Sequence, residues 1–162
     1  MIILIKLTRL IIRSYWKAEY RIFRKKYKIS DNFSFNGFNI NLYGDGNIKL
    51  GNNSYCGNNC SFQASKGLTI EVGDNTAISH NVRIYTSNRS SQDIVNNKDV
   101  IGYRKGNVSI GNNCWIGANV FICEGVNIGN NVVIGANSVV TKDLDSYSIN
   151  GGVPAKEISK VS

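Results

Sequence analysis

The chain has 162 residues, enough for one domain that buries a sizeable core. Its formal net charge of +8 comes from residues 1–28, which hold nine of the 19 basic and one of the 11 acidic side chains, so residues 29–162 are neutral overall. Nucleic-acid-binding proteins usually carry basic surface on the folded body, so this distribution argues against nucleic acid as a partner.

Residues 1–30 are predicted to form a basic amphipathic α-helix. One helical face carries Leu4, Leu7, Ile11 and Tyr15. Basic residues interrupt the apolar stretch from Lys6 onwards, so it is too short and too charged to span a membrane, and it does not resemble a signal peptide. The expected location is the cytoplasm. Two interpretations stay open: the helix packs on its own subunit or a neighbour, or it contacts the anionic inner face of the membrane.

Residues 31–146 carry a repeat with a period of six residues. Its aliphatic phase is unbroken through Ile110, Ile116, Ile122, Ile128, Ile134 and Val140. A small inward residue precedes each aliphatic one by two positions, and Asn or Gly, which tolerate left-handed backbone angles, follows three positions later. Short strands that turn every six residues predict an all-β solenoid, a parallel β-helix of stacked three-strand coils in which Ile110 lies above Ile128.

The repeat is interrupted at residues 85–109, which are polar and predicted to form a protruding loop that reaches over a neighbouring surface. Residues 147–162 are expected to form a C-terminal cap. The four cysteines fit neither a zinc ribbon nor a disulfide framework, and Cys56, Cys60 and Cys114 fall on inward phases of the repeat.

The run IGNNCWIGANVFICEGVNIGNNVVIGANSVVTKD, followed by NGGVPAKEI, resembles the hexapeptide-repeat acetyltransferases. The resemblance is to the branch with maltose, galactoside and polysaccharide O-acetyltransferases, and it covers residues 45–160. It implies a left-handed parallel β-helix, a homotrimer with active sites between subunits, and acetyl-CoA as the acyl donor. The implied acceptor is a sugar hydroxyl in a surface polysaccharide, and the cationic helix favours a lipid-linked precursor of that polysaccharide as an alternative acceptor.

Several residues match functional positions of that family. The resemblance implies that Asn59 lines the catalytic site and that acetyl-CoA is bound by Trp115, Ala118, Ala136, Thr141, Lys142 and Lys156. A lysine near the nucleotide phosphates is chemically sensible for an anionic cofactor.

The catalytic histidine of the family aligns with Arg89, give or take a residue, and a guanidinium cannot act as a base. The single histidine of the chain, His80, is the candidate general base because a neutral imidazole can accept a proton from a hydroxyl. Substrate contacts are expected from the loop residues Asn88, Arg89 and Asp93.

Two alternatives stay open. Asp93 could serve an N-acetyltransferase that acts on a nucleotide-linked amino sugar, or the chain could be a catalytically silent trimeric scaffold. A carbonic anhydrase is excluded, since its zinc needs several histidines, and no metal site is expected.

Overall fold

The computed structural model describes residues 1–160, so the last two residues of the expected C-terminal cap lie outside the described part. In chain order the elements are α1 (Ile2–Lys26), β1 (Lys28–Ile29), β2 (Ser34–Phe35), β3 (Asn41–Tyr43), β4 (Asn47–Leu50), β5 (Tyr55–Cys56), β6 (Ser61–Gln63), β7 (Thr69–Val72), β8 (Ala77–Ile78), β9 (Arg83–Tyr85), β10 (Ser87–Arg89), α2 (Ser91–Val95), β11 (Tyr103–Lys105), β12 (Val108–Ile110), β13 (Trp115–Ile116), β14 (Phe121–Ile122), β15 (Asn127–Ile128), β16 (Val133–Ile134), β17 (Val139–Val140), β18 (Ser148–Gly151) and β19 (Lys156–Lys160).

The short strands form the three faces of a solenoid. Face A is ordered β1-β4-β7-β12-β15, face B is β2-β5-β8-β13-β16-β18-β19, and face C is β3-β6-β9-β14-β17. Neighbours within each face are parallel, except β19, which is antiparallel to β18. Ile110 pairs with Ile128, which confirms the predicted stacking. Leu50 instead pairs with Val72, because residues inserted in that coil increase the number of residues between stacked positions.

The hexapeptide pattern produces this shape because each phase has one physical role. The aliphatic phase from Ile110 to Val140 is buried, with 0–3% exposure. Burying one such side chain stabilises the fold by about 1.5–3 kcal/mol. The corner asparagines 59, 81, 119 and 137 have φ between 58° and 61°, the left-handed region that Asn tolerates. Cys56, Cys60 and Cys114 are buried, as predicted.

The C-terminal part of helix α1 packs against the solenoid. Phe23 is buried, and the Tyr20 ring stacks on Phe35 at 4.3 Å between centroids. The Tyr20 hydroxyl donates to the Gly37 carbonyl at 2.7 Å, and burial raises the pKa of Tyr20 to about 12. The helix ends at Lys26, before the predicted end at residue 30, because Lys28–Ile29 pairs with β4 as a strand.

The polar interruption is shorter than predicted and contains regular secondary structure. Val108 and Ile110 are buried and pair with Ile70 and Val72, so the expected end at residue 109 is wrong and the coil resumes at Val108. The excursion between β9 and β12 contains the antiparallel hairpin β10–β11 and the short helix α2. No helix in residues 1–160 combines the length and apolar character needed to cross a bilayer.

Candidate active site

Two corners of the solenoid carry the predicted site residues. The corner between faces B and C stacks one residue from each successive coil: Asn58, His80, Ala118 and Ala136. The loop leaves from the corner between faces C and A, beyond the other end of β9. Within one subunit, His80 and the loop residues therefore lie at opposite ends of β9.

The imidazole of His80 is exposed, but one of its nitrogens is engaged. Nδ1 accepts a hydrogen bond from the backbone N–H of Asn58 at 2.9 Å. A neutral imidazole has one protonated and one accepting nitrogen, so this bond places the ring proton on Nε2. The Asn58 side chain makes the equivalent bond one coil earlier, where its Oδ1 accepts from the Phe38 N–H at 2.7 Å. His80 thus has a structural role at this corner, whatever its chemistry.

Asn59 belongs to a ladder of asparagine side chains along the same corner. Its Oδ1 accepts from Asn39 Nδ2 at 2.9 Å, and farther along Asn81 and Asn119 Nδ2 donate to Asn119 and Asn137 Oδ1 at 2.8 and 2.9 Å. The ladder satisfies polar groups at each turn. Because the amide oxygen of Asn59 is used in this way, its Nδ2 is the group that could donate to a ligand.

The predicted donor-binding residues form a surface that runs from face B around this corner. Trp115 is 58% exposed and lies in register between Ala77 and Val133, so small neighbours leave its ring uncovered. Ala118 is half-buried and Ala136 is exposed in successive coils. The two coils approach closely here. A Cβ on Gly117, the residue before Ala118, would lie 2.6 Å from the Ala136 nitrogen of the next coil.

The remaining predicted donor-binding residues lie at the C-terminal end of the solenoid. Thr141 and Lys142 are exposed and directly follow β17. Lys156 is exposed at the start of β19, and the preceding Ala155 N–H donates to the Val139 carbonyl at 2.8 Å. This bond holds the lysine segment against the last coil, near the start of β17.

The base of the loop contains a residue that sequence reasoning missed. Glu124 lies in the corner after β14, and its side chain is only 7% exposed. Arg104 Nη2 lies 2.8 Å from Glu124 Oε1, and Asn88 Nδ2 donates to Oε2. The available signal was an acidic residue in the corner sequence CEG, directly above the corner from which the loop departs.

Arg89 and Asp93 are not brought together with His80. Arg89 is exposed and pairs with Tyr103 across the hairpin. Asp93 closes the loop: its carboxylate lies 2.5 Å from Lys98 Nζ and accepts from the Gly102 N–H at 3.1 Å. The hydrogen bond from Lys98 and then that from Gly102 lower the pKa of Asp93, which makes it a weaker base.

Within residues 1–160 no group of three or more His, Cys, Asp and Glu side chains is placed to hold a metal ion.

Comparisons with known proteins agree with this architecture. Residues 107–142 match the family model described as bacterial transferase hexapeptide (six repeats). The solved maltose O-acetyltransferase from Clostridium difficile 630 is similar at 34% identity and a TM-score of 0.67, over 97% of this chain and 83% of that one. A hexapeptide-repeat acetyltransferase from Vibrio cholerae O1 biovar eltor, complexed with acetyl coenzyme A, is similar at 25% identity and a TM-score of 0.70, over 90% and 78% of the two chains.

A curated relative extends the comparison to nucleotide sugars. The dTDP-4-amino-4,6-dideoxy-D-glucose acyltransferase of Escherichia coli is 31% identical over 159 residues, 83% of this chain and 79% of that protein. The chain spans little more than half of several other curated relatives. It covers 55% of the galactoside O-acetyltransferase of Escherichia coli (strain K12), to which it is 36% identical over 72% of its own length. The chain belongs to the hexapeptide-repeat acyltransferase family.

Proposed function

We propose that the chain transfers acetyl from acetyl-CoA to a hydroxyl of a sugar, in a surface polysaccharide or its lipid-linked precursor. The observation that carries this proposal is the surface formed by the exposed Trp115 and the small corner residues Ala118 and Ala136. At the stacked position of the last two coils, Ala118 and Ala136 present only methyl groups, and this leaves room for a narrow pantetheine arm. The similar V. cholerae structure, complexed with acetyl coenzyme A, supports the choice of donor.

The diphosphate of CoA needs a positively charged partner, and exposed lysines at the C-terminal end of the solenoid can supply it. Lys142 and Lys156 are both exposed near the last coil. An ammonium group binds phosphate as a flexible point charge, so neither lysine needs a fixed geometry before the ligand arrives. Thr141 is proposed to contribute a hydroxyl beside Lys142.

In the proposed reaction the acceptor oxygen attacks the thioester carbonyl, the C–S bond breaks, and the acceptor proton passes to a base and then to the CoA thiolate. His80 is the proposed base. For Nε2 to accept the proton, the ring must carry its own proton on Nδ1, which breaks the bond from Asn58. The Nδ2 of Asn59 is proposed to donate to the developing oxyanion.

A second candidate function is acyl transfer to an amine of a nucleotide-linked sugar. It is favoured by the similar dTDP-sugar acyltransferase and by Arg89 at the position of the family's histidine. A neutral amine is a better nucleophile than a hydroxyl and needs less help from a base. A protein that binds CoA but transfers nothing would instead be a scaffold.

We also propose a homotrimer whose sites lie between subunits. The separation of His80 from Arg89 and Asp93 along β9 supports this proposal. Residues that lie apart within one subunit can come together where His80 of one subunit faces the loop of its neighbour. A mixed trimer of His80→Asn and Arg89→Ala chains tests it. Recovered activity is expected, since some boundaries then join two intact halves, and activity no higher than that of the single variants would contradict it.

The N-terminal helix supports a proposed contact with the anionic inner face of the membrane. Leu4, Leu7, Ile11 and Tyr15 are each more than half exposed, whereas Phe23 faces the solenoid from another side of α1. An exposed apolar stripe with flanking cations suits an interfacial helix. Packing against a second α1 would instead bring together two strongly basic segments.

Sedimentation with vesicles tests this contact. Vesicles that contain phosphatidylglycerol should bind the protein at low salt, pure phosphatidylcholine should not, and Leu7→Ser with Ile11→Ser should abolish binding. Ile94→Ser, which changes an exposed isoleucine of the loop, is the matched control. Equal sedimentation with both vesicle types, or none with either, would contradict the proposal.

Transfer itself is tested by incubating the purified protein with acetyl-CoA and a galactoside, maltose or an amino sugar nucleotide. Acceptor-dependent release of CoA with an O-acetylated product is expected. An N-acetylated product would favour the second candidate, and CoA binding without any product would favour the scaffold.

A further inference from the structure

Glu124 is a nearly buried carboxylate that the proposed reaction does not use. Its side chain is 7% exposed, in the solenoid corner that faces the base of the loop. Removing a charged group from water is costly unless partners compensate for the lost solvation. The buried carboxylate of Glu124 therefore needs hydrogen-bond donors or a cation beside it.

Both partners of Glu124 come from the same face of the hairpin. Asn88 and Arg104 are directly paired across β10 and β11, so their side chains share one face, whereas Arg89 and Tyr103 share the other. Arg104 Nη2 lies 2.8 Å from Oε1, and Asn88 Nδ2 donates to Oε2. One carboxylate thus joins both strands of the hairpin to the following coil.

Close backbone packing reinforces this junction. The Gly106 N–H donates to the Thr86 carbonyl at 3.0 Å and closes the base of the hairpin. A Cβ on Gly106 would lie 2.5 Å from the Cα of Gly125, the residue after Glu124. The hairpin base therefore rests directly on the corner that carries the carboxylate.

The carboxylate also determines which way the Asn88 amide faces. An ionised carboxylate has only acceptors, so the amide must present its NH2 group to Glu124. The oxygen of the same planar amide is then turned away from the carboxylate. Asn88 is half-buried, so this oxygen is held at the base of the loop, while the side chain of the neighbouring Arg89 lies on the other face of the hairpin.

We infer that Glu124 is a positioning residue that fixes the Asn88 amide so that its oxygen accepts a hydrogen bond from the hydroxyl or amine of the acceptor. The inference rests on the proposed acyl transfer. Glu124 acts through Asn88 and does not touch the reacting atoms. Acceptor recognition then lies at the loop base, and donor binding lies at the corner with Ala118 and Ala136.

Steady-state kinetics of Glu124→Gln, with a galactoside as the acceptor, tests this inference. Glutamine keeps the volume but can present either end of its amide to Asn88. The KM for the galactoside should rise about three- to tenfold, the loss expected for one neutral hydrogen bond to the Asn88 oxygen, while the KM for acetyl-CoA stays within about twofold. Glu71→Gln, which removes an exposed partner of Lys49 on face A, is the matched control.

A double-mutant cycle separates positioning from general destabilisation. If Glu124 acts through Asn88, adding Glu124→Gln to Asn88→Ala should raise the KM for the galactoside no further. Additive effects, or equal increases in both KM values together with a lower Tm, would overturn the inference.

Amide hydrogen exchange gives a readout that does not need turnover. Peptides covering residues 87–105 should exchange faster in Glu124→Gln than in Glu71→Gln, and those covering 128–140 should not change. Unchanged exchange in the hairpin would overturn the role of Glu124. A wild-type protein with no transferase activity would remove the proposed function and the acceptor contact together, while exchange would still decide whether Glu124 fixes the hairpin.

Discussion

His80 Nδ1 accepts a hydrogen bond from the backbone N–H of Asn58 at 2.9 Å, across two successive coils. The same contact is made by the Asn58 side chain to Phe38 one coil earlier, so an asparagine can replace the structural part of His80. The proposed catalytic part needs an imidazole. These two roles can therefore be separated by substitution.

We predict that His80→Asn keeps the Tm within about 2 °C of wild type, since Asn Oδ1 replaces Nδ1, and lowers kcat by about 10²–10⁴-fold, the usual contribution of a general base. His80→Ala should lower both the Tm and kcat. Calorimetry and CoA release measure the two quantities. Full activity in His80→Asn would show that another group is the base.

The corner methyl groups give a second prediction. Ala136→Leu should weaken acetyl-CoA binding at least about tenfold, a loss of about 1.4 kcal/mol, because the larger side chain occupies the space proposed for the pantetheine arm. Ala136 is exposed, so the fold should tolerate the change. Titration calorimetry measures the affinity, and Ala18→Leu on the exposed side of α1 is the control. Equal affinity in both variants would place the donor elsewhere.

The loop closure around Asp93 should depend on pH. Its pKa is lowered by Lys98 and by the Gly102 N–H, so the closure is fully present above the ordinary aspartate pKa and is lost as the pH falls through the lowered value. Pepsin, which acts in acid, should cut the wild-type loop only at the lowest pH values. Asp93→Asn should be cut across the acid range. Identical digestion of the two proteins would contradict this role.

The hexapeptide core should respond strongly to the loss of one aliphatic side chain. Ile122 is completely buried, so Ile122→Ala should lower the free energy of unfolding by about 2–5 kcal/mol. Ile94 is 47% exposed in the loop, and Ile94→Ala should change it by no more than about 0.5 kcal/mol. Urea denaturation measures both values. A small effect at Ile122 would be inconsistent with a continuous stacked core.

The solenoid could be predicted because its determinants are local and repeated. Each aliphatic position lies six residues from the next, and each left-handed corner is marked by its own Asn, so the stacking of Ile110 on Ile128 follows from the period. The end of the loop is less sharply defined, because Val108 belongs both to the predicted loop and to the inward phase two positions before Ile110. Its pairing with Ile70 shows that the coil resumes there.

The candidate site was less predictable because its contacts are distant in the sequence. Glu124 meets Asn88 across 36 residues, and His80 meets Asn58 across 22. No local pattern contains such pairs. The family resemblance predicts donor-binding residues such as Trp115 and Ala136, but it could not indicate that Asp93 is bound within its own loop or that a carboxylate lies beneath the hairpin.

Titration calorimetry of the wild-type protein with acetyl-CoA tests the central claim most directly, because the account requires a donor site along the corner with Ala118 and Ala136. We predict saturable binding of one acetyl-CoA per chain, weakened in Ala136→Leu and unchanged in Ala18→Leu. A folded protein that binds no acetyl-CoA at millimolar concentration would contradict the assignment.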